Sequence, residues 1–133
     1  MKVESRVEIS SAADIVTARQ QGRELALEMG FVGSDLTVVA TAISEVARNI
    51  VDHAKQGEIV LARANEGGKR GIVIVATDRG PGIPDLAKAM EYGYSTRSGL
   101  GVGLPGSKLL MDEFDIASKV GEGTRVTMKK WLY

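Results

Sequence analysis

The stretch Ser44-Glu45-Val46-Ala47-Arg48-Asn49-Ile50-Val51-Asp52-His53 decides the reading of this chain, because it is helical in pattern and carries polar groups at helical spacing. From Asp35 to about Ala54, Leu36, Val39, Ala40, Ile43, Ala47, Ile50 and Val51 point inward, and Ser34 or Asp35 is placed to cap the start. Thr41, Glu45, Asn49 and His53 recur every four residues and form one polar stripe. Two glycine-punctuated segments follow in order, Asp78-Arg79-Gly80-Pro81-Gly82 and then Gly99-Leu100-Gly101-Val102-Gly103-Leu104. Alone, the stripe reads as a solvated face and each glycine segment as a turn or surface loop. Together, in this order, they predict a magnesium-nucleotide site.

Working outward, Val3, Ser5, Val7 and Ile9 alternate with Glu4, Arg6 and Glu8, the pattern of a half-buried strand. Ser11 with Asp14 resembles a capping box for a helix that turns Ile15, Ala18, Gly22, Leu25, Ala26 and Met29 inward and ends at Gly30. Ile59 to Ala64 and Ile72 to Thr77 predict a hairpin with a loose turn over Asn65 to Arg70. A short helix over Leu86 to Met90 is expected next, then a candidate lid from Tyr92 to Gly103 and a helix from Leu104 to Phe114 with Pro105 in its first turn. Phe114 to Val120 and Thr124 to Leu132 close the chain as a second hairpin. No repeat or internal linker breaks the pattern. The expected fold is a single domain over residues 1–133, an α/β (α+β) two-layer sandwich with a mixed, largely antiparallel sheet and helices packed on one face.

Lys plus Arg and Asp plus Glu both number 17, so the basic excess that nucleic-acid binding draws on is missing and no nucleic-acid partner is expected. The absence of cysteine removes disulfides, thiolate metal sites and thiol nucleophiles, and fits a cytoplasmic chain. The N-terminal residues lack the apolar core of a signal peptide, and no apolar run approaches the ~20 residues that span a bilayer, so no membrane association is expected.

The chemistry follows from residue type. An Asn amide oxygen is a hard neutral ligand suited to magnesium, so Asn49 is assigned to the metal. Glu45, one turn earlier, is placed to take the proton from a hydroxyl or water attacking a γ-phosphate. Asp78 ends a buried strand before Gly80 and Gly82, where its carboxylate can accept from an adenine amino group, a group guanine does not present in that place. Gly99, Gly101 and Gly103, with Leu100 and Val102 between them, bring backbone amides to phosphates at the start of a helix. Arg97 and Lys108 are the cations nearby, and either can neutralise charge during transfer. Thr124 can reach the base directly or through water.

These three segments resemble the N-box, G1 and G2 motifs of the GHKL superfamily, the Bergerat-fold ATP-binding proteins. Arg97-Ser98-Gly99-Leu100-Gly101 and the short lid are similar to those of the anti-sigma-factor serine kinases. Thr41 to Ile50, Gly80-Pro81-Gly82-Ile83-Pro84-Asp85, Gly103-Leu104-Pro105-Gly106, Met111-Asp112-Glu113-Phe114 and Lys130-Trp131-Leu132 resemble the switch kinases of the stressosome. The resemblance implies a serine/threonine kinase that uses ATP and Mg2+ on STAS-domain scaffold and antagonist proteins, and that on release activates a PP2C-type phosphatase. By the same match Glu45 is the base, Asn49 the metal ligand, Asp78 the adenine anchor and Gly99 to Gly103 the phosphate loop, and Arg97, matched in the sporulation anti-sigma kinase, is catalytic beside Glu45; residue type and position add Gly80, Gly82, Lys108 and Thr124 to the nucleotide-binding set. His53-Ala54 departs from the His-Gly that more often ends the N-box. The alternative reading is a nucleotide-gated anti-sigma factor that sequesters a sigma factor or phosphatase regulator.

Overall fold

The computed structural model describes residues 1–83, 90 and 103–133. Five strands, β1 (Lys2–Ile9), β2 (Gly57–Glu66), β3 (Lys69–Asp78), β4 (Glu113–Lys119) and β5 (Gly123–Leu132), form one sheet in the order β1-β2-β3-β5-β4. All four pairings are antiparallel, so the parallel part of the expected mixed sheet is not found among the described residues. Helices α1 (Ala12–Met29), α2 (Ser34–Asn49) and α3 (Gly103–Leu110) lie on one face, as expected. The short helix expected over Leu86 to Met90 falls, apart from Met90, outside the described residues.

The core between the layers is aliphatic. Ile59 and Leu61 of β2, Ile72 and Ile74 of β3, and Val126 and Met128 of β5 meet Ile15, Leu25, Val39, Ile43 and Ile50 from the helices. Each such side chain contributes about 1.5–3 kcal/mol on burial. Helix α1 buries the six residues that its periodicity named, and Asp14 closes its first turn by accepting the backbone N–H groups of Ser10 and Ser11 at 2.8 and 3.1 Å.

Helix α2 departs from its pattern in two ways. Its N-cap is Gly33, so neither Ser34 nor Asp35 caps it, and Asp35 instead faces Lys130 at 3.8 Å. Ala42, Ser44, Glu45 and Val46 are buried along with Leu36, Val39, Ile43, Ala47 and Ile50 of the expected face, because α2 is packed against α1, α3 and the sheet, whereas Ala40 and Val51 are only half-buried. After Asn49 the helix continues as one wide π turn, Ile50–Ala54, and stops at Lys55 with φ 72°.

Two junctions are tighter than the sequence pattern suggested. Glu66 and Lys69 pair directly around Gly67-Gly68, whose φ values of 59° and 85° suit a two-residue turn, so the expected loose loop is a tight hairpin. Helix α3 ends at Leu110 instead of Phe114, because Asp112 already donates its N–H to the Lys129 carbonyl and Phe114 pairs with Met128.

The sheet's other face carries no helix among the described residues, yet Val60, Ala62, Ala64, Val73, Val75 and Trp131 are buried there. Trp131 lies against Gly71, donates Nε1–H to Glu113 at 2.5 Å and holds the Lys69 ammonium 4.6 Å above its ring. Lysine stems and the indole thus cover a small second core. Trp131 is a packing residue here, whereas Tyr133 is 92% exposed.

Candidate functional site

The site is built at the end of the sheet where β3 stops. Gly57, Asp78, Thr124 and Ser118 occupy one row across β2, β3, β5 and β4, each opposite the next in register. The pleat sends Asp78 and Thr124 to the same face as Ile74, Ala76, Val126 and Met128, toward the helices.

Asp78 is 9% exposed, and its Oδ1 accepts the backbone N–H of Gly80 at 2.9 Å and of Thr124 at 3.2 Å. Its Oδ2 accepts no hydrogen bond from a described residue, which leaves one carboxylate oxygen for a donor such as a purine amino group. The backbone crowds this carboxylate: a Cβ on Gly57 would sit 2.5 Å from the Thr77 carbonyl, and one on Gly123 would overlap the Asp78 carbonyl. Thr124 is 6% exposed, with Oγ1 2.8 Å from Ser118 Oγ.

Helix α2 brings the second half of the site. Glu45 is 8% exposed, so the solvated-face reading of the polar stripe does not hold at its centre. Arg48, one turn on, places Nη1 3.0 Å from Glu45 Oε1 with its own side chain 35% exposed, a charge-assisted pair that orients the carboxylate. Asn49 is half-buried on the next turn, and no described residue hydrogen-bonds its side-chain amide. The two halves touch through Ala54, where a Cβ on Gly80 would lie 2.6 Å from the Ala54 Cβ. The Gly80 position must stay bare for the Asp78 turn to reach the helix that carries Glu45 and Asn49. Gly82 likewise lies against the Lys119 carbonyl, and the Pro81 carbonyl accepts the Gly121 N–H at 2.9 Å, so the turn after β3 is docked on the β4–β5 hairpin.

The structure therefore brings Asp78, Gly80, Gly82 and Thr124 together and ties them to the helix of Glu45 and Asn49. Gly103 begins α3, while Lys108 is exposed in its last turn, roughly 7.5 Å further along the helix axis. Arg97, Gly99, Leu100, Gly101 and Val102 lie outside the described residues. Sequence reasoning missed Gly57, Arg48 and Ser118. Only Arg48, three residues after Glu45 on a helix, carried a usable signal.

Comparison with known proteins identifies relatives. A profile described as "Histidine kinase-like ATPase domain" matches residues 10–130. The chain is 52% identical over 132 residues to the serine/threonine-protein kinase RsbT of Bacillus subtilis (strain 168), covering 99% of each chain. It is 32% identical over 103 residues to the anti-sigma F factor of Thermoanaerobacter sp. (strain X514), covering 74% of this chain and 71% of that one. Among solved structures, the RsbU and RsbW domains of Rv1364c from Mycobacterium tuberculosis superpose with a TM-score of 0.59 at 27% identity, over 96% of this chain and 32% of that one.

Proposed function

Because this chain belongs to the histidine kinase-like ATPase family, we propose that it is a serine/threonine protein kinase that moves the γ-phosphate of ATP to a partner protein. The observation that carries the reading is 52% identity, over 99% of both chains, to a protein named as such a kinase. In this reading the partners are STAS-domain scaffold and antagonist proteins, and a PP2C-type phosphatase is the alternative partner once the kinase is released. The place of action is the cytoplasm; among the described residues no helix is long and apolar enough to cross a membrane.

The chemistry uses the residues that the sequence named. Glu45 accepts the proton of the attacking serine or threonine hydroxyl as that oxygen bonds to the γ-phosphorus and the bond to the β-phosphate oxygen breaks. Arg48 holds Glu45 in place through the 3.0 Å contact. Asp78 Oδ2 accepts from the adenine amino group, and Thr124 lies beside it. Asn49 is the protein ligand for Mg2+, which supplies charge neutralisation at the phosphates; no three His, Asp or Glu side chains converge among the described residues to hold a metal unaided. Gly99 to Gly103 supply amides to the phosphates, with Arg97 or Lys108 as cation.

The test is transfer of labelled γ-phosphate from magnesium ATP to a STAS-domain protein of the same genome. Label that depends on Glu45 supports the kinase. A second reading, in which nucleotide only gates the sequestering of a sigma factor or phosphatase regulator, draws on the 32% identity to an anti-sigma F factor. Tight partner binding with no label under saturating ATP favours it.

A further inference from the structure

Ser118 sits on the edge strand β4, opposite Thr124, on the helix-facing side with Phe114 and Ile116. Its hydroxyl joins three segments at one atom. It accepts the backbone N–H of Ile83 at 2.7 Å, lies 3.2 Å from the Gly123 carbonyl and stands 2.8 Å from Thr124 Oγ1. The turn that leaves Asp78, the first residue of β5 and the hydroxyl next to Asp78 are therefore held by one serine.

The proton count makes this more than a strut. A serine hydroxyl has one proton, and with the Ile83 N–H occupying a lone pair that proton goes either to the Gly123 carbonyl or to Thr124. The carbonyl contact of 3.2 Å is long for an O–H donor, so giving it up costs little. When Ser118 donates to Thr124, the Thr124 proton is released to point into the site. Asp78 accepts and Thr124 then donates, side by side. Adenine presents the complementary pair on its edge, an amino donor beside an unprotonated ring nitrogen. Guanine presents the inverse, a carbonyl beside a protonated ring nitrogen.

We propose that Ser118 is a positioning residue for base recognition, setting the Thr124 hydroxyl and the Asp78 turn so that the site prefers adenine to guanine nucleotides. The inference rests on the reading of Asp78 and Thr124 as the base contacts.

Titration calorimetry with ADP and with GDP tests it on the full chain, comparing wild type, Ser118→Ala, Ser118→Thr and Asp78→Asn, with thermal melts as a check of folding. Loss of one positioned hydrogen bond predicts that Ser118→Ala binds ADP about five- to tenfold more weakly while GDP changes little, so the preference for adenine shrinks. Ser118→Thr, which keeps a hydroxyl on a strand, retains the preference. With saturating ATP, turnover of Ser118→Ala stays near wild type, so the defect is in KM. If Ser118→Ala fails to fold, Ser118→Cys, a weaker donor of similar size, carries the same comparison. An unchanged ADP-to-GDP ratio in the folded variant, or equal losses for both nucleotides, overturns the inference. If Asp78→Asn weakens ADP while Ser118→Ala does not, the role of Ser118 alone is wrong. If neither change affects ADP, the base-contact reading fails with it.

Discussion

Asp78 of β3 and Thr124 of β5 stand opposite each other in register, and the Asp78 Oδ1 accepts the Thr124 backbone N–H at 3.2 Å. The hydrogen bond that seats the carboxylate is thus separate from the oxygen left for a ligand.

Asp78→Asn follows from that division. The asparagine Oδ1 can keep the bonds from Gly80 and Thr124, but its NH2 then replaces Oδ2 and meets the adenine amino group donor to donor. ATP affinity falls about 10- to 100-fold, read by calorimetry, while the melting temperature moves by only a few degrees.

Arg48→Met leaves a largely buried Glu45 carboxylate without the guanidinium at 3.0 Å. The pair is part-exposed on the arginine side, so the expected loss is about 1–2 kcal/mol in urea unfolding, below that of a fully buried pair. Phosphotransfer falls more steeply than ATP binding. Arg48→Lys restores part of the rate, since an ammonium keeps the charge and loses the planar fork.

Lys55 ends the π turn at φ 72°, and its N–H donates to the Ile50 carbonyl at 2.9 Å. A glycine adopts that backbone without the Cβ clash, so Lys55→Gly raises the unfolding free energy by about 1 kcal/mol in a denaturant titration. ATP affinity stays at the wild-type value.

The Asp14 carboxyl is held below its ordinary value of 3.8, chiefly by the backbone N–H of Ser10 and further by the Ser10 and Ser11 hydroxyls and the Ser11 N–H. A depressed folded-state value means that the ionised cap stabilises α1 above the unfolded value and that this contribution is lost as pH falls through the folded one. The stability gap between wild type and Asp14→Ala is therefore present above the ordinary value of 3.8 and closes as pH falls below it in chemical denaturation.

Periodicity made α1 legible to the residue, because one of its faces meets solvent and the other the core. It misled at α2, where Ala42 and Val46 are buried by neighbouring elements that no local pattern announces. That Glu45 and Asn49 share a helix and that Asp78 ends a strand was legible from hydrophobic patterning, while the roles proposed for them rest on residue type. Ser118 and Gly57 were not, since their roles arise from the row that places them across the sheet from Asp78 and Thr124. The end of α3 was overrun because Leu109, Leu110 and Met111 suit a helix, while backbone pairing with β5 recruits the chain sooner.

Glu45 as the base for phosphotransfer is the central claim, and a single-turnover measurement tests it most directly. Wild type and Glu45→Gln are each loaded with labelled magnesium ATP, and transfer to a STAS-domain substrate is timed beside nucleotide affinity. The account predicts ATP binding within about threefold of wild type and a transfer rate lower by at least about 100-fold in Glu45→Gln. Transfer at the wild-type rate by the variant would contradict it.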